Sequence, residues 1–502
     1  TAPAAAAPAT PGGKAVHEGI AVELQVDPLQ PAPGRLLTEG DDAAIRFKIS
    51  DQTTGNPVAG AYPSAWLDLL RPGESAGDQC AKRIGELLGS DLFNRPALDL
   101  NVYYVLALNQ DATISVVDPL FGFGGTKLLA MVQLDSPGED WVLSPDKTRL
   151  FVSLPDSGRV AVVDAASWKV ISRIDLGGRP RRLAWQPDGA YLWVGLDAGG
   201  IAAIRTADLA VAARIATGAG AHDLAVAGDN RFVFVTNREA RTLSVVDVAK
   251  LAKVRDVPLS TAPTAVAYSS QAQAAYVASE EDGVITAVAA EREVPLAHIQ
   301  SAPGIGSLRF APGGRFAFVP NPRADRVFIL DAAANRIVQT AAIDGGPDQI
   351  DFSDTLAYVR RRGSETLVMI PLGQIGEAGK DVPLADTPGG QSPFGKVSRP
   401  SPADSIVRAP GETAVLIANP GDRAIYYYRE GMAAPMGSFA NYDREPRAVL
   451  VVDRTLKERR PGTYETVAKA PLPGRYRVAF FLDAPRTLHC FELAVAAAPE
   501  LE

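Results

Sequence analysis

Arginine is the residue type through which this chain could most readily do chemistry. Arg181, Arg182, Arg238, Arg323, Arg360, Arg361 and Arg362 fall in or beside short loops between apolar, β-patterned stretches. A guanidinium presents a rigid fork of N–H donors that meets a carboxylate or phosphate at two points. Asp223 and Gln349 occupy similar loop positions and would add an acceptor and an amide. The set predicts an anion site; ordinary pairing with neighbouring Asp and Glu is the competing reading. Histidines are few (His17, His222, His298 and His489), so a multinuclear copper or zinc centre is not expected. Met432 and Met436, two of four methionines, lie in IYYYREGMAAPMGSF. Thioethers suit Cu(I), and His489 beside Cys490 would add soft ligands. Against this stands plain gap-filling by the methionines, with the tyrosines forming a strand or a protein-contact rim.

Other motifs carry no catalytic apparatus. GFGGTK at 122–127 lacks phosphate-loop spacing and reads as a hairpin turn. No GxSxG, HExxH or EF-hand pattern occurs. Glu280, Glu281 and Asp282 read as a solvated turn, so no general acid or base is assigned.

Composition narrows the class. Of 502 residues, 46% are hydrophobic and 22% charged, which is ordinary for a globular chain. A net charge of −8 argues against a broad nucleic-acid surface. No apolar run reaches 18 residues, so no transmembrane segment is expected. The opening TAPAAAAPATPGG is read, within 1–17, as a flexible tether left after removal of a signal peptide, which implies a periplasmic or otherwise exported protein; a disordered end of a cytosolic protein is the competing reading. Cys80 and Cys490 are the only cysteines, and in an exported chain they suggest one disulfide, with two separate buried thiols as the alternative.

The elements that must position these residues repeat. ISVVD (114–118), VAVVD (160–164), LSVVD (243–247) and VFILD (327–331) recur at about one or two times 42 residues. Each unit runs from an apolar strand such as RRLAW through a QPDG or APGG turn to a second strand such as YLWVGL. The xxVVD strand and a more polar fourth strand follow. Alternating patterning with regular turns predicts four-stranded blades. Complete units begin near 140, 182, 223, 265, 307, 348 and 406, and a partial unit at 101–134 lacks its inner strand. The expectation is an all-β chain with a seven- or eight-bladed β-propeller over 101–445, eight preferred, and a Gly/Pro-rich insertion at 373–403.

The run IDLGGRPRRLAWQPDGAYLWVGL and the xxVVD copies resemble the YVTN-type repeats of the cytochrome d1-haem-like propeller superfamily. The resemblance implies that the loops leading into the innermost strands, together with those after the second strands, surround the channel mouth. This would gather Arg181, Arg182, His222, Asp223, Arg238, Arg323, Gln349, Arg360 and Arg361. It also implies that a histidine placed like His222 can ligate haem d1 or a metal, although partner ligands are not evident. The ends (AVELQVDP, DAAIRFKIS and TTGNPVAGA within 18–100; GTYETVAKAPLPGRYRVAFFLDAP and LHCFELAVA within 446–502) resemble two halves of a FixH/YtkA-like immunoglobulin-like sandwich. Joined into one sandwich, they would bring Cys80 and Cys490 together; two separate small domains are the alternative.

The function expected is that of an exported, non-catalytic propeller binding a partner protein or a small anionic ligand or cofactor of unknown identity, as an accessory to a periplasmic redox system. A cofactor-dependent propeller oxidoreductase and a periplasmic copper carrier are the alternatives.

Overall fold

The computed structural model describes residues 13–30, 37–89, 96–119, 127–220, 223–394, 402–411 and 413–498. The larger part of the opening tether, His222 and most of GFGGTK lie outside these residues. The chain divides into two compact units, one of 105–145 with 149–451, the other of the flanking segments 1–104 and 452–502 with 146–148.

In the larger unit the described residues form eight four-stranded antiparallel sheets. Seven of them run in simple chain order. Their innermost strands are Trp141–Leu143, Pro180–Trp185, Leu224–Val226, Ala265–Ser269, Arg309–Phe310, Pro347–Phe352 and Ile406–Arg408. We number these the second to eighth sheets. The first is completed out of order: Pro446–Asp453 pairs with Tyr103–Asn109, and Thr113–Asp118 and Lys127–Gln133 follow outward. The strand missing from the partial unit at 101–134 is therefore supplied from the far end of the repeats. A boundary drawn at 445 separates that strand from its own sheet, because Pro446–Asp453 carries no repeat signature and only its pairing reveals its place.

Local chemistry shapes each sheet. The aspartate closing the third strand turns the chain: Asp164 Oδ1 accepts the backbone N–H of Ala166 (3.1 Å) and Ser167 (2.7 Å). Asp331 does the same for Ala333 at 2.9 Å. Asparagines closing the second strand are fully buried staples. Asn237 Nδ2 donates to Thr242 Oγ1 and Ser244 Oγ, both at 2.9 Å, while its Oδ1 accepts Gly218 N–H at 2.8 Å. Gly189 takes the left-handed φ of 77° that the QPDG turn needs.

Neighbouring sheets pack face to face. Val160, Val162 and Ile174 of the second sheet meet Leu183, Leu192, Val194 and Ile204 of the third in one buried cluster. Trp193, Ile201 and Ala203, pointing the other way from the same strands, meet Val233, Val235 and Val246 of the fourth. The strand period of two makes this possible: each blade offers one apolar face to each neighbour. Truncating such a residue, Ile204→Ala for example, removes about 2–5 kcal/mol.

The smaller unit holds two further sheets. Asp42–Asp51 pairs with Thr463–Lys469 in a five-stranded sheet, and Ser64–Leu69 pairs with Gly474–Leu482 in a four-stranded one. Their facing residues, among them Val22, Phe47, Ile49, Leu67, Val478, Phe480 and Phe491, form one buried cluster. Segments from opposite ends of the chain thus share both sheets and a core. The helix Cys80–Leu88, which the sequence patterning did not single out, lays Ile84 and Leu87 against Trp66 and Ala479. A Cys80–Cys490 disulfide ties it to the strand Thr487–Val495.

A nine-residue helix is marginal without such anchorage. Cys490→Ser should lower stability by about 2–4 kcal/mol, read as a fall in the thermal midpoint. Reductant should produce the same fall in the unmodified protein and none in the variant.

Candidate functional site at the channel mouth

The innermost strands of all eight sheets face a single cavity of about 640 Å³. Val142, Leu183, Val226, Val266, Ile350, Val407 and Leu450 are among its walls. Above it lies a second cavity of about 470 Å³, and the two share Arg182, Ser307, Gln349 and Pro402 as a collar. The upper cavity is the mouth: Arg181, Arg182, Asp223, Arg238, Gln349 and Arg360 line it, with Arg362, Asp348, Glu139 and Glu280.

The sheet register explains this gathering. Residues leading into an innermost strand reach across to the next sheet and clip it. Asp140 Oδ2 accepts the backbone N–H of Leu183 at 3.0 Å, and Asp223 Oδ2 accepts that of Val266 at 3.0 Å. Gln349 repeats the theme with its amide: Oε1 accepts Ser405 N–H at 3.1 Å, and Nε2 donates to Ala403 O at 3.0 Å.

Ion pairs fill the mouth. Arg182 lies between two carboxylates, with Nε 2.9 Å from Asp223 Oδ1 and Nη1 3.4 Å from Asp140 Oδ2. Burial would drive its proton off, but those carboxylates outweigh burial and raise its pKa. Arg360 grips Asp348 at two points, 2.8 and 2.7 Å, and donates Nη1 to Ser405 Oγ at 2.9 Å. Arg362 Nε reaches the same Asp348 at 2.8 Å. Burial would raise Asp348, yet Arg360 and Arg362 together hold it below the usual carboxylate value. At the rim Arg238 meets Glu281 at 3.3 Å, Arg323 meets Glu280 at 2.8 Å, and Arg181 meets Glu139 at 3.2 Å and Asp197. The competing sequence reading, pairing with Asp and Glu, thus describes every one of these arginines.

Arg361 departs from expectation. It lines neither cavity; its guanidinium turns to Asp386, 3.2 Å away, and to Thr366. Alternation within Leu356–Arg361 and the turn after it puts Arg360 and Arg362 on the mouth side and Arg361 on the other. Asn237, Asn321 and Asn419, which close second strands beside the mouth loops, are wholly buried. His222 falls outside the described residues.

Sequence patterning missed Arg309 and Asp351. Arg309 holds Asp404 at 2.7 and 2.9 Å and stands 3.5 Å from Asp351. For Arg309 the available signal was a charge between the apolar neighbours Leu308 and Phe310. Burial raises Asp351 to about 6 against the opposing pull of Arg309, and it raises Asp140 to about 6 against Arg182.

The residues of the soft-metal reading are divided between the two units. Met432 and Met436 are exposed on the outer hairpin of the eighth sheet, whereas His489 belongs to the other unit, its ring 4.5 Å from that of Phe491. Cys490 is committed to its disulfide and offers no thiolate. Tyr427 and Tyr428 are buried strand residues, and the half-buried Tyr426 donates its hydroxyl to Asp422 at 2.9 Å. Among the described residues no group of three or more His, Cys, Asp or Glu is placed to hold a metal ion.

Comparison with known proteins points to the same fold. The family model for YNCE-like β-propellers matches residues 124–312. No curated protein matches the sequence significantly. Apo AztD from Citrobacter koseri is similar at a TM-score of 0.55 and 13% identity, over 70% of this chain and 98% of that one. The computationally designed Ika8 protein is similar at 0.53 and 14%, over 65% and 93%. At such identities the likeness is one of fold alone.

The raised carboxylates make a pH prediction. Asp351, ordinarily near 3.8 and about 6 when folded, holds a proton in the folded chain that the unfolded chain has released between about pH 4 and 6. Its contribution to stability is therefore present at the acidic end and lost as pH rises through about 6. In urea unfolding, the stability of Asp351→Asn relative to the unmodified protein should increase from pH 4 to pH 7; a constant difference would refute the shift.

Proposed function

We propose that this protein is an exported, non-catalytic, eight-bladed β-propeller that binds a small charged ligand, or a charged segment of a partner, at its channel mouth. The observation that carries the reading is the mouth cavity of about 470 Å³, into which charged side chains from the second to fifth and the seventh sheets converge. Concave sites of this size with a few placed polar groups are where small molecules bind. Eight blades are supported by eight four-stranded sheets sharing one cavity. The two sheets of the smaller unit are read as an immunoglobulin-like sandwich made of the segments before and after the propeller in the chain. Export is supported by the Cys80–Cys490 disulfide, since such bonds persist in oxidising compartments.

A plain anion trap is the weaker form of the idea, because the mouth arginines already hold carboxylates. Arg362 remains the best exposed of those around Asp348, with 51% of its side chain accessible. Native mass spectrometry of protein prepared from its own host tests the proposal. The expected result is a bound small molecule, or a co-purifying partner, in the unmodified protein that is lost in Arg362→Ala. Retention in that variant would move the site away from the mouth.

A further inference from the structure

The charges at the mouth are not evenly mixed. They form two triads of opposite sign. On the side of the second to fourth sheets, one guanidinium, Arg182, stands between two carboxylates, Asp140 and Asp223. On the seventh sheet one carboxylate, Asp348, stands between two guanidiniums, Arg360 and Arg362. The first triad carries one surplus negative charge and the second one surplus positive charge. Arg182 belongs to the third sheet and Asp348 to the strand entering the seventh, four sheets apart among eight that share one channel. Both triads line the same upper cavity, through Arg182 and Asp223 on one wall and Asp348, Arg360 and Arg362 on the other. Between them the rim pairs Arg238 with Glu281 and Arg323 with Glu280, one charge against one.

Each triad leaves one member open. Asp140 has only 6% of its side chain accessible and Asp348 only 5%, and Arg360 spends its donors on Asp348 and Ser405. Asp223 uses one oxygen on Arg182 and the other on Val266 N–H, which leaves lone pairs on both, and 18% of its side chain is accessible. Arg362 gives only its Nε to Asp348. A cation arriving at Asp223 meets the surplus carboxylate, and an anion arriving at Arg362 meets the surplus guanidinium. A ligand bearing one charge satisfies one wall and leaves the surplus charge of the other unanswered.

We infer that the mouth recognises a zwitterionic small molecule, with its ammonium or other cationic group against Asp223 and its carboxylate or other anionic group against Arg362. The inference rests on the mouth-binding reading above and refines it. The cavity volume suits a molecule of amino-acid to dipeptide size.

Isothermal titration of the full-length chain with a panel of L-amino acids and dipeptides tests this, alongside their N-acetyl forms, which keep only the negative charge, and their methyl esters, which keep only the positive one. At least one zwitterion should bind, with either single-charge analogue at least tenfold weaker. Arg362→Gln should weaken the parent at least tenfold and leave the methyl ester unchanged. Asp223→Asn should weaken the parent and leave the N-acetyl form unchanged. The analogue series on the unmodified protein stands whether or not that second variant folds. An N-acetyl form binding as tightly as its parent would overturn the zwitterion and keep an anion site at the mouth. So would a silent panel beside a host-derived mass lost in Arg362→Ala. A silent panel with no such mass and no such partner would overturn both readings.

Discussion

Ring closure is the constraint on which the larger unit depends. Every sheet needs an apolar neighbour on each face, and an open row of blades would leave two faces and their strand edges bare. Pro446–Asp453 removes that problem by completing the sheet begun by Tyr103–Asn109. Once the end of the repeats is woven into their start, the innermost strands of all eight sheets are held about one axis, and the cavity between them exists. The mouth residues inherit their positions from this closure.

The same closure accounts for the electrostatics. Inner strands converge, so residues leading into them crowd together although they lie about 42 positions apart in the chain. Asp140 and Asp223 serve twice: they cap the backbone of the next strand and they neutralise Arg182. A carboxylate in such a place keeps its charge only with a cation at hand. Where two cations stand by, as at Asp348, the pKa falls; where a single arginine is shared, as at Asp140, burial prevails. The mouth is therefore a balanced network whose local surpluses, rather than its arginine content, decide what it can hold.

In the smaller unit the governing event is pairing between distant segments. Neither Asp42–Asp51 nor Thr463–Lys469 has an apolar face that its own stretch of chain could cover. Pairing places Phe47 beside Phe480 and Phe491 and sets Cys80 opposite Cys490. A hydrophobic core and a covalent bond then serve together in this unit.

Much of this was legible in the chain alone. The period near 42, the xxVVD strands and the QPDG and APGG turns are local signals, because turn chemistry and alternation act over a few residues. They marked seven innermost strands and a partial eighth unit. They also named Arg182, Asp223, Gln349 and Arg360, which all line the mouth. The strand that completes the first sheet was invisible, since its identity comes only from what it pairs with. Arg361 shows the limit at single-residue scale: one step along an alternating strand turns a side chain to the other face, and the neighbours on that face decide its partner. Arg309 and Asp351, on the innermost strands of neighbouring sheets, became site residues only when tertiary packing brought Asp404 beside Arg309. Local sequence determined the blades and the kinds of charge available; which charges meet, and with what surplus, was decided by contacts between residues far apart in the chain.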